Sequence, residues 1–151
     1  MKMRAPSSML AMKSPTLAAG ASVRLVKRAY RESPANAFPR KRDTDAAFLV
    51  LGTRMLDASH PDRPQVFGTH DLTLVDRIRA HAESLRVPKD AWEVHMLYGI
   101  RTADQRALAA AGVGVRVLIS YGTHWFPWYV RRLAERPANM WFVLRSVVSS
   151  R

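Results

Sequence analysis

The amino-acid sequence predicts an α/β protein built around a parallel sheet. Strand-like and helix-like segments alternate over residues 23–135, separated by short breaks of glycine, proline or polar residues. The order is β-α-β-α-β-α-β-α, and right-handed crossovers between successive strands make such a chain a parallel sheet. Two architectures share this order: a doubly wound sheet, and half of a (β/α)8 barrel.

A bounded apolar run and a helical repeat predict the first unit. The run over residues 23–27 ends on Lys27 and is typical of a buried strand. A helix over 43–58 follows, because apolar residues recur at helical spacing and Asp43 and Asp45 favour its N-terminus. The recurring residues are Phe48, Leu51, Met55 and Leu56.

The second unit has a polar strand end and a candidate helix cap. Its strand, residues 65–70, ends on Thr69 and His70. Asp71 can then cap a helix over 72–85. The predicted inner face of this helix consists of Leu72, Val75, Ile78 and Arg79.

The remaining units continue the alternation. They are predicted as strand 92–97, helix 103–111, strand 113–120, helix 126–135 and a closing helix over 139–148. Gly112 is the predicted C-cap residue of helix 103–111, and Tyr98 and Tyr121 follow the two strands. In a barrel these strand ends share one rim, so their side chains converge on one site.

Composition excludes several classes of protein. The 151 residues fit one domain, and 48% hydrophobic and 24% charged residues are typical of a folded globular chain. Cysteine is absent, which excludes disulfides and thiolate metal sites and suits a reducing compartment. No apolar stretch is long enough to span a bilayer, and residues 1–14 lack the apolar segment of a secretory signal. The net charge of +12 is scattered along the chain rather than gathered in a tail, which argues against nucleic-acid binding.

The sequence contains no familiar self-sufficient catalytic motif. The five histidines show no metal-ligand spacing, and both a glycine-rich phosphate loop and a nucleophile elbow are missing. Chemistry by a bound organic cofactor therefore fits the sequence better than metal or side-chain nucleophilic chemistry.

A pair of arginines on a predicted helix suggests an anion site. Glu135 follows Arg131 at i+4 and Arg132 at i+3. Two guanidinium groups held by one carboxylate can clamp a small carboxylate ligand. A solvated surface pair is the alternative, and the segment by itself favours that second interpretation.

Four motifs together resemble a known family. They are Arg24-x-x-Lys27-x-Ala29-Tyr30, Phe67-Gly68-Thr69-His70-Asp71, Met96-Leu97-Tyr98-Gly99 and Arg131-Arg132-Leu133-Ala134-Glu135-Arg136-Pro137. In this order and spacing they resemble the C-terminal half of proline dehydrogenase, in its monofunctional bacterial form, over residues 17–139.

The resemblance implies a (β/α)8 flavoprotein that uses FAD to oxidise L-proline to pyrroline-5-carboxylate and passes the electrons to quinone. It also implies a cytoplasmic protein without a nucleic-acid partner, and it allows peripheral contact with the inner face of the cell membrane. Arg24 matches a catalytic arginine that reaches the flavin near its reactive nitrogen. The implied cofactor contacts are Lys27, Ala29, Thr69, His70 and Glu135, the last of which also fixes the arginine clamp. The implied substrate contacts are Tyr30, Leu97, Arg131 and Arg132; no metal is implied.

Three positions depart from the family pattern. Arg28 stands where the family motif has glycine, His95 where it has glutamine, and Leu118 where a tyrosine borders the substrate. If the backbone at residue 28 needs positive φ or close approach to the cofactor, an arginine strains it or crowds the site.

The resemblance covers only the second half of the barrel. Strands one to four have no counterpart, so we expect residues 1–16 to be a disordered or unrelated leader and residues 17–151 to form the C-terminal half of the FAD-binding barrel domain. A half barrel leaves open strand edges and an exposed interior. The alternatives are a non-enzymatic remnant or complementation partner of the missing half and, third, a basic nucleic-acid-binding module.

Overall fold

The computed structural model describes residues 19–27 and 37–123. Its elements are β1 (Arg24–Val26), α1 (Lys41–Asp57), β2 (Gln65–Gly68), α2 (Leu72–Ser84), β3 (Trp92–Leu97), α3 (Thr102–Ala110) and β4 (Gly114–Leu118). The predicted elements between residues 23 and 120 are therefore confirmed in type and order. The helices predicted over 126–135 and 139–148 lie outside the described residues.

The four strands form one parallel sheet in the order β1-β2-β3-β4. One row of the register runs Leu25, Phe67, Val94 and Val115. Each strand pairs with the strand that precedes it in the chain, so the strand order runs in one direction across the sheet. A doubly wound sheet instead has a switch point at which the strand order reverses. The sheet is therefore of the (β/α)8 barrel type, which is one of the two predicted architectures.

The core lies between the sheet and the helices. Phe67 of β2 makes edge contacts with Phe48 of α1 and Trp92 of β3, at ring-centroid distances of 6.4 and 6.1 Å. The same buried cluster includes Ile78 of α2 and Leu108 of α3. All three helices thus cover one face of the sheet, and alternate strand residues point to the opposite face.

The buried face of α2 differs from the predicted one. It consists of Leu74, Val75, Ile78 and Ala82. Leu72 is only half-buried, and Arg79 lies at the border of the face with its guanidinium 3.7 Å from Glu83 Oε1. The apolar stripe that covers the sheet follows the helical period from Leu74 through Ile78 to Ala82. The centre of the buried face is therefore rotated from the predicted one, and Arg79 lies beside solvent.

Gly112 has a φ of +80°, which is the left-handed conformation expected just after a helix. The prediction that α3 stops there is confirmed. None of the helices in the part of the chain that the structure describes is long and apolar enough to cross a membrane.

Candidate functional site

The carboxyl ends of the strands bring several of the predicted site residues to one rim. Lys27 directly follows β1, Thr69 and His70 follow β2, and Leu97 ends β3. The Lys27 backbone N–H donates to the Gly68 carbonyl oxygen at 3.0 Å, which continues the parallel ladder beyond β1. The predicted placement of His70, Leu97 and Tyr121 at one rim holds, because each lies at the carboxyl end of its parallel strand.

The Lys27 ammonium is buried and shared by two carboxylates. Its Nζ lies 2.6 Å from Asp45 Oδ1 and 2.6 Å from Asp71 Oδ2, and only 4% of its side chain is exposed. Lys41, whose side chain is largely exposed, contacts Asp45 and reaches Asp71 Oδ2 at 3.2 Å. Two cations and two anions therefore balance, as a buried charge requires. We call these four residues the lysine–aspartate cluster.

The cluster holds both of its carboxylates in the charged form. Burial acts to raise the pKa of Asp45 and of Asp71, but hydrogen bonds from Lys27 and Lys41 outweigh it and lower the pKa of each below its ordinary value. Hydrogen bonds to Asp45 and, second, to Asp71 raise the pKa of Lys41 above its ordinary value. Asp45, Asp71 and Lys41 are thus charged near neutral pH.

Asp71 does not act as the predicted helix cap. It occupies the N-cap position of α2, but its side chain makes no hydrogen bond to the backbone of that helix. The carboxylate binds Lys27 instead, because leaving a buried ammonium without a counter-charge costs more than leaving an exposed helix N–H to water. Asp45, predicted only to favour a helix N-terminus, likewise binds Lys27.

Thr69 makes a local hydrogen bond in the loop after β2, whereas His70 connects this loop to the end of β3. The Thr69 hydroxyl oxygen accepts a hydrogen bond from the Asp71 backbone N–H at 3.1 Å, so its own proton can still be donated. His70 Nε2 accepts from the Leu97 backbone N–H at 2.9 Å. An accepting Nε2 places the ring proton on Nδ1, so this contact requires the neutral imidazole.

Arg24 points to the face of the sheet that the three helices leave uncovered. It alternates with Leu25, which is buried against the helices, and its own side chain is exposed. Within residues 19–27 and 37–123 it makes no ion pair or hydrogen bond, so its guanidinium donors are available to a ligand.

A second ion network on this face was not predicted. Glu93 Oε1 lies 2.7 Å from His95 Nε2, and Glu93 Oε2 lies 2.6 Å from Arg116 Nε. Burial acts to raise the pKa of Glu93, but the contacts with His95 and Arg116 outweigh it and lower that pKa. The parallel register places His95 beside Arg116, a neighbourhood that no sequence spacing reveals.

Gln105 is a positioning residue that sequence reasoning missed. It lies on α3, is buried, and donates through Nε2 to the carbonyl oxygens of Leu97 at 3.0 Å and Ile100 at 2.7 Å. These bonds fix the turn that follows Leu97. The sequence signal for this role was a glutamine at an inward-facing position of a short helix, because a buried side-chain amide needs hydrogen-bond partners.

Five predicted site residues lie outside the described part of the chain: Ala29, Tyr30, Arg131, Arg132 and Glu135. Arg28 lies there too. Among the residues that are described, no group of three or more histidine, aspartate or glutamate side chains is arranged to hold a metal ion.

Comparison with known proteins indicates one family. A model of the proline dehydrogenase family matches residues 10–145. Proline dehydrogenase 1 of Bacillus subtilis subsp. natto is 41% identical over 128 residues, which cover 84% of this chain and 41% of that protein. Proline dehydrogenase of Deinococcus radiodurans is 37% identical over 127 residues, 84% of this chain and 40% of the relative. The chain thus spans about two fifths of the length of these curated relatives.

A solved structure shares the fold. Proline utilization A from Bdellovibrio bacteriovorus, inactivated by N-propargylglycine, matches 74% of this chain and 10% of its own, with a TM-score of 0.55 and 21% identity. At this identity the match concerns the fold alone. The family match over most of the sequence goes further: the chain belongs to the proline dehydrogenase family.

Proposed function

We propose that this chain is the C-terminal half of an FAD-dependent proline dehydrogenase barrel, which oxidises L-proline to pyrroline-5-carboxylate and passes the electrons to quinone. The observation that carries the proposal is the rim itself. Lys27, Thr69, His70 and Leu97 occupy successive strand ends of a barrel-type sheet, and Arg24 lies on the uncovered face below them. Membership of the family supplies the reaction class.

The donors of the described rim suit a flavin. Arg24 offers unpaired guanidinium donors, and the Thr69 hydroxyl keeps a proton to donate. A bound flavin supplies the acceptor for the two electrons that leave proline. In a closed barrel the Arg24 guanidinium would stabilise negative charge on the flavin, because a preorganised cation in a site that excludes water acts more strongly than one in bulk water.

The lysine–aspartate cluster and His70 prepare the site rather than react. Lys27 is held by Asp45 and Asp71, so its charge occupies one place and adds little net positive charge to the rim. The His70 bond to the Leu97 backbone fixes the strand end whose side chain forms an apolar wall over the proline ring. Such fixed geometry is what keeps the reacting atoms within reach.

The substrate carboxylate is assigned to residues beyond the described part. Arg131 and Arg132 clamp it, and Glu135 holds the clamp and contacts the cofactor. Ala29 contributes to the cofactor site and Tyr30 to the substrate pocket. Arg28, in place of the family glycine, weakens cofactor binding by crowding this segment.

The other half of the barrel is needed for turnover. Residues 17–151 correspond in this proposal to the C-terminal half, and the groups that complete the pocket come from the part of the relatives that the chain does not cover. A second candidate is accordingly a complementation partner or a non-enzymatic remnant, and the observation that favours it is the coverage of two fifths of the relatives. Quinone reduction brings the complete enzyme into peripheral contact with a membrane.

The test is proline-dependent dye reduction with added FAD. The chain is assayed alone and after co-expression with the part of the Deinococcus radiodurans relative that it does not cover. We expect no turnover by the chain alone and turnover in the co-expressed complex. Arg24→Met in this chain should abolish that turnover, whereas Arg24→Lys, which keeps the charge, should retain part of it.

The outcomes separate the candidates. A complex that forms but does not oxidise proline supports a remnant without enzymatic function. Turnover by the chain alone, abolished by Arg131→Ala, contradicts the need for a second half. Retention on a DNA column that falls steeply with salt, together with no flavin binding in the complex, supports a nucleic-acid-binding module instead.

A further inference from the structure

We propose that His95 makes the uncovered face of the sheet sensitive to protons. A protonated His95 ring adds a positive charge to this face and favours the reduced, anionic form of a bound flavin over the oxidised, neutral form. This role rests on the proposed function, since it concerns the flavin of that site. It belongs to a position at which the chain departs from the family pattern, with histidine in place of glutamine. A glutamine side chain does not titrate, so only the histidine can have this effect.

His95 lies on the uncovered face, one step below the rim. Its neighbours Val94 and Met96 are buried against the helices, so the alternation of β3 directs His95 to the other face. Leu97 follows on that face at the end of the strand. The row of the sheet that contains Arg24 lies two residues below the row that contains His95. His95 is thus at a level between the residues proposed to contact the flavin and the proline ring.

Gly68 keeps the space beside His95 free of a side chain. It stands on β2, between His95 of β3 and Val26 of β1 in the same row. Its backbone is outside the left-handed region, and the nearest atom to a Cβ built there is Val26 Cγ2 at 3.1 Å. A strand glycine without a conformational reason marks a place where another group approaches the backbone closely. From Arg24 to His95 is two strand spacings and two residues, about 12 Å between Cα atoms, so one planar ligand can extend from the first toward the second across Gly68.

The net charge at this level depends on whether His95 carries a proton. Glu93 Oε1 lies 2.7 Å from His95 Nε2, and Glu93 Oε2 lies 2.6 Å from Arg116 Nε. Burial acts to raise the pKa of Glu93, but these contacts outweigh it and lower that pKa, so the carboxylate is charged near neutral pH. The charges of Glu93 and Arg116 cancel. A neutral His95 ring therefore leaves the network uncharged, and a protonated ring gives it one positive charge.

The neighbouring strands add one other group that can titrate near neutral pH. β1 presents Arg24, which keeps its charge, and β2 presents Val66 and Gly68, which have none. His70 at the rim accepts a hydrogen bond from the Leu97 N–H, so its protonation would break that bond. Protonation of His95 instead preserves the Nε2–H bond to Glu93 and turns it into an ion pair.

His95 acts through its charge and not through direct contact. Only 14% of its side chain is exposed, and Nδ1 is buried without a hydrogen-bond partner among the residues that the structure describes. An ionised carboxylate at 2.7 Å from Nε2 stabilises an imidazolium, which lets Nδ1 take up the proton in that enclosed position. Histidine is the side chain whose charge ordinarily changes between about pH 5 and pH 8. His95 is therefore a positioning residue whose field reaches the ligand.

The test is the midpoint potential of the flavin at about pH 5.5 and pH 8 in the complex with the co-expressed part of the Deinococcus radiodurans relative. The natural chain is compared with His95→Gln, which can still donate to Glu93 but cannot carry the charge. At one pH, the difference in potential between the two proteins measures the change in the ratio of affinities for reduced and oxidised flavin. With an effective dielectric constant of about 20, we expect the natural chain to favour reduced flavin roughly fivefold to tenfold more than His95→Gln at pH 5.5, and about equally at pH 8.

Two further variants isolate the charge. His95→Lys carries a charge at both pH values, so it should favour reduced flavin at both. His60→Gln removes an exposed histidine from the loop between α1 and β2, at the opposite end of the sheet, and should behave as the natural chain.

Equal potentials of the natural chain and His95→Gln at both pH values overturn the proposal. A difference that is the same at both pH values also overturns it, because that result indicates an effect of shape without titration. A complex that binds no flavin contradicts the proposed function and this role together, whereas flavin that is bound with the same pH dependence in both proteins contradicts this role alone.

Nitrogen-15 NMR of the histidine rings in the chain alone gives an independent measurement, with the His95 signals identified by their loss in His95→Gln. We expect a proton on Nε2 alone at about pH 8 and on both ring nitrogens at about pH 5.5. A His95 ring that stays neutral at pH 5.5, or that carries its single proton on Nδ1 at pH 8, overturns the proposal whether or not the complex binds flavin.

Discussion

Replacing Lys27 by methionine removes the buried ammonium that Asp45 and Asp71 share. Breaking one side of a fully buried ion pair costs about 3–5 kcal/mol, because the remaining charge stays buried without a partner. The side chains of Asp45 and Asp71 are 19% and 24% exposed, and Lys41 still contacts both. We therefore expect Lys27→Met to lower the free energy of unfolding by about 2–3 kcal/mol at neutral pH.

The cost should depend on pH in a direction that the two carboxylates determine. The pKa of each is lower in the folded chain than its ordinary value of 3.8. Their contribution is therefore present above that value and is lost as the pH falls through the lower folded pKa. The difference between the natural chain and Lys27→Met should be largest near neutral pH and should shrink below about pH 4.

The assay is urea unfolding at about pH 7 and pH 3, followed by circular dichroism and by tryptophan fluorescence, to which buried Trp92 contributes. The matched control is Lys41→Met, which removes a mostly exposed cation from the same carboxylates and should cost less than about 1 kcal/mol. Equal effects of the two variants, or a Lys27→Met cost that does not change with pH, would refute the assigned role of the buried ammonium.

Three further predictions follow from the contacts. Gln105→Leu leaves the carbonyl oxygens of Leu97 and Ile100 without their donor, so it should lower the free energy of unfolding by about 1–3 kcal/mol and speed amide exchange in that turn; unchanged exchange would contradict it. Glu93→Gln should destabilise the fold by about 1–2 kcal/mol near pH 7 by removing the anion beside Arg116, and urea unfolding should show the difference fading below the ordinary pKa of 4.5, because the folded pKa is lowered. Purified alone, the chain should hold FAD weakly or not at all, and stoichiometric FAD surviving gel filtration would contradict the need for the other half.

Local sequence patterns were sufficient for the elements of the fold. The predicted bounds of β3 agree with the structure because its residues alternate between the core and the opposite face, a period of two that only a strand has. The end of α3 was equally clear, since Gly112 adopts the positive φ that other residues avoid. The choice between a doubly wound sheet and a barrel type needed the strand order, which connection lengths do not determine.

The candidate site was only partly accessible from the sequence. Motif resemblance identified Lys27 and His70, and the structure brings both to the rim. It did not reveal that Lys27 is neutralised by Asp45 and Asp71, which are 18 and 44 positions further along the chain. Helix-capping rules predicted that the Asp71 side chain binds the backbone of α2. In the structure it forms an ion pair with the buried Lys27 ammonium instead.

The sequence alone determined the alternation of strands and helices and the family, because periodicity and motifs are properties of neighbouring residues. Only the tertiary structure decided which side chains share charges: the lysine–aspartate cluster, and the network of Glu93 with His95 and Arg116. The physical reason is that parallel strands are joined by long crossovers, so residues far apart in the chain become neighbours in the sheet. Electrostatic partners are then chosen by distance and burial, which no linear spacing encodes.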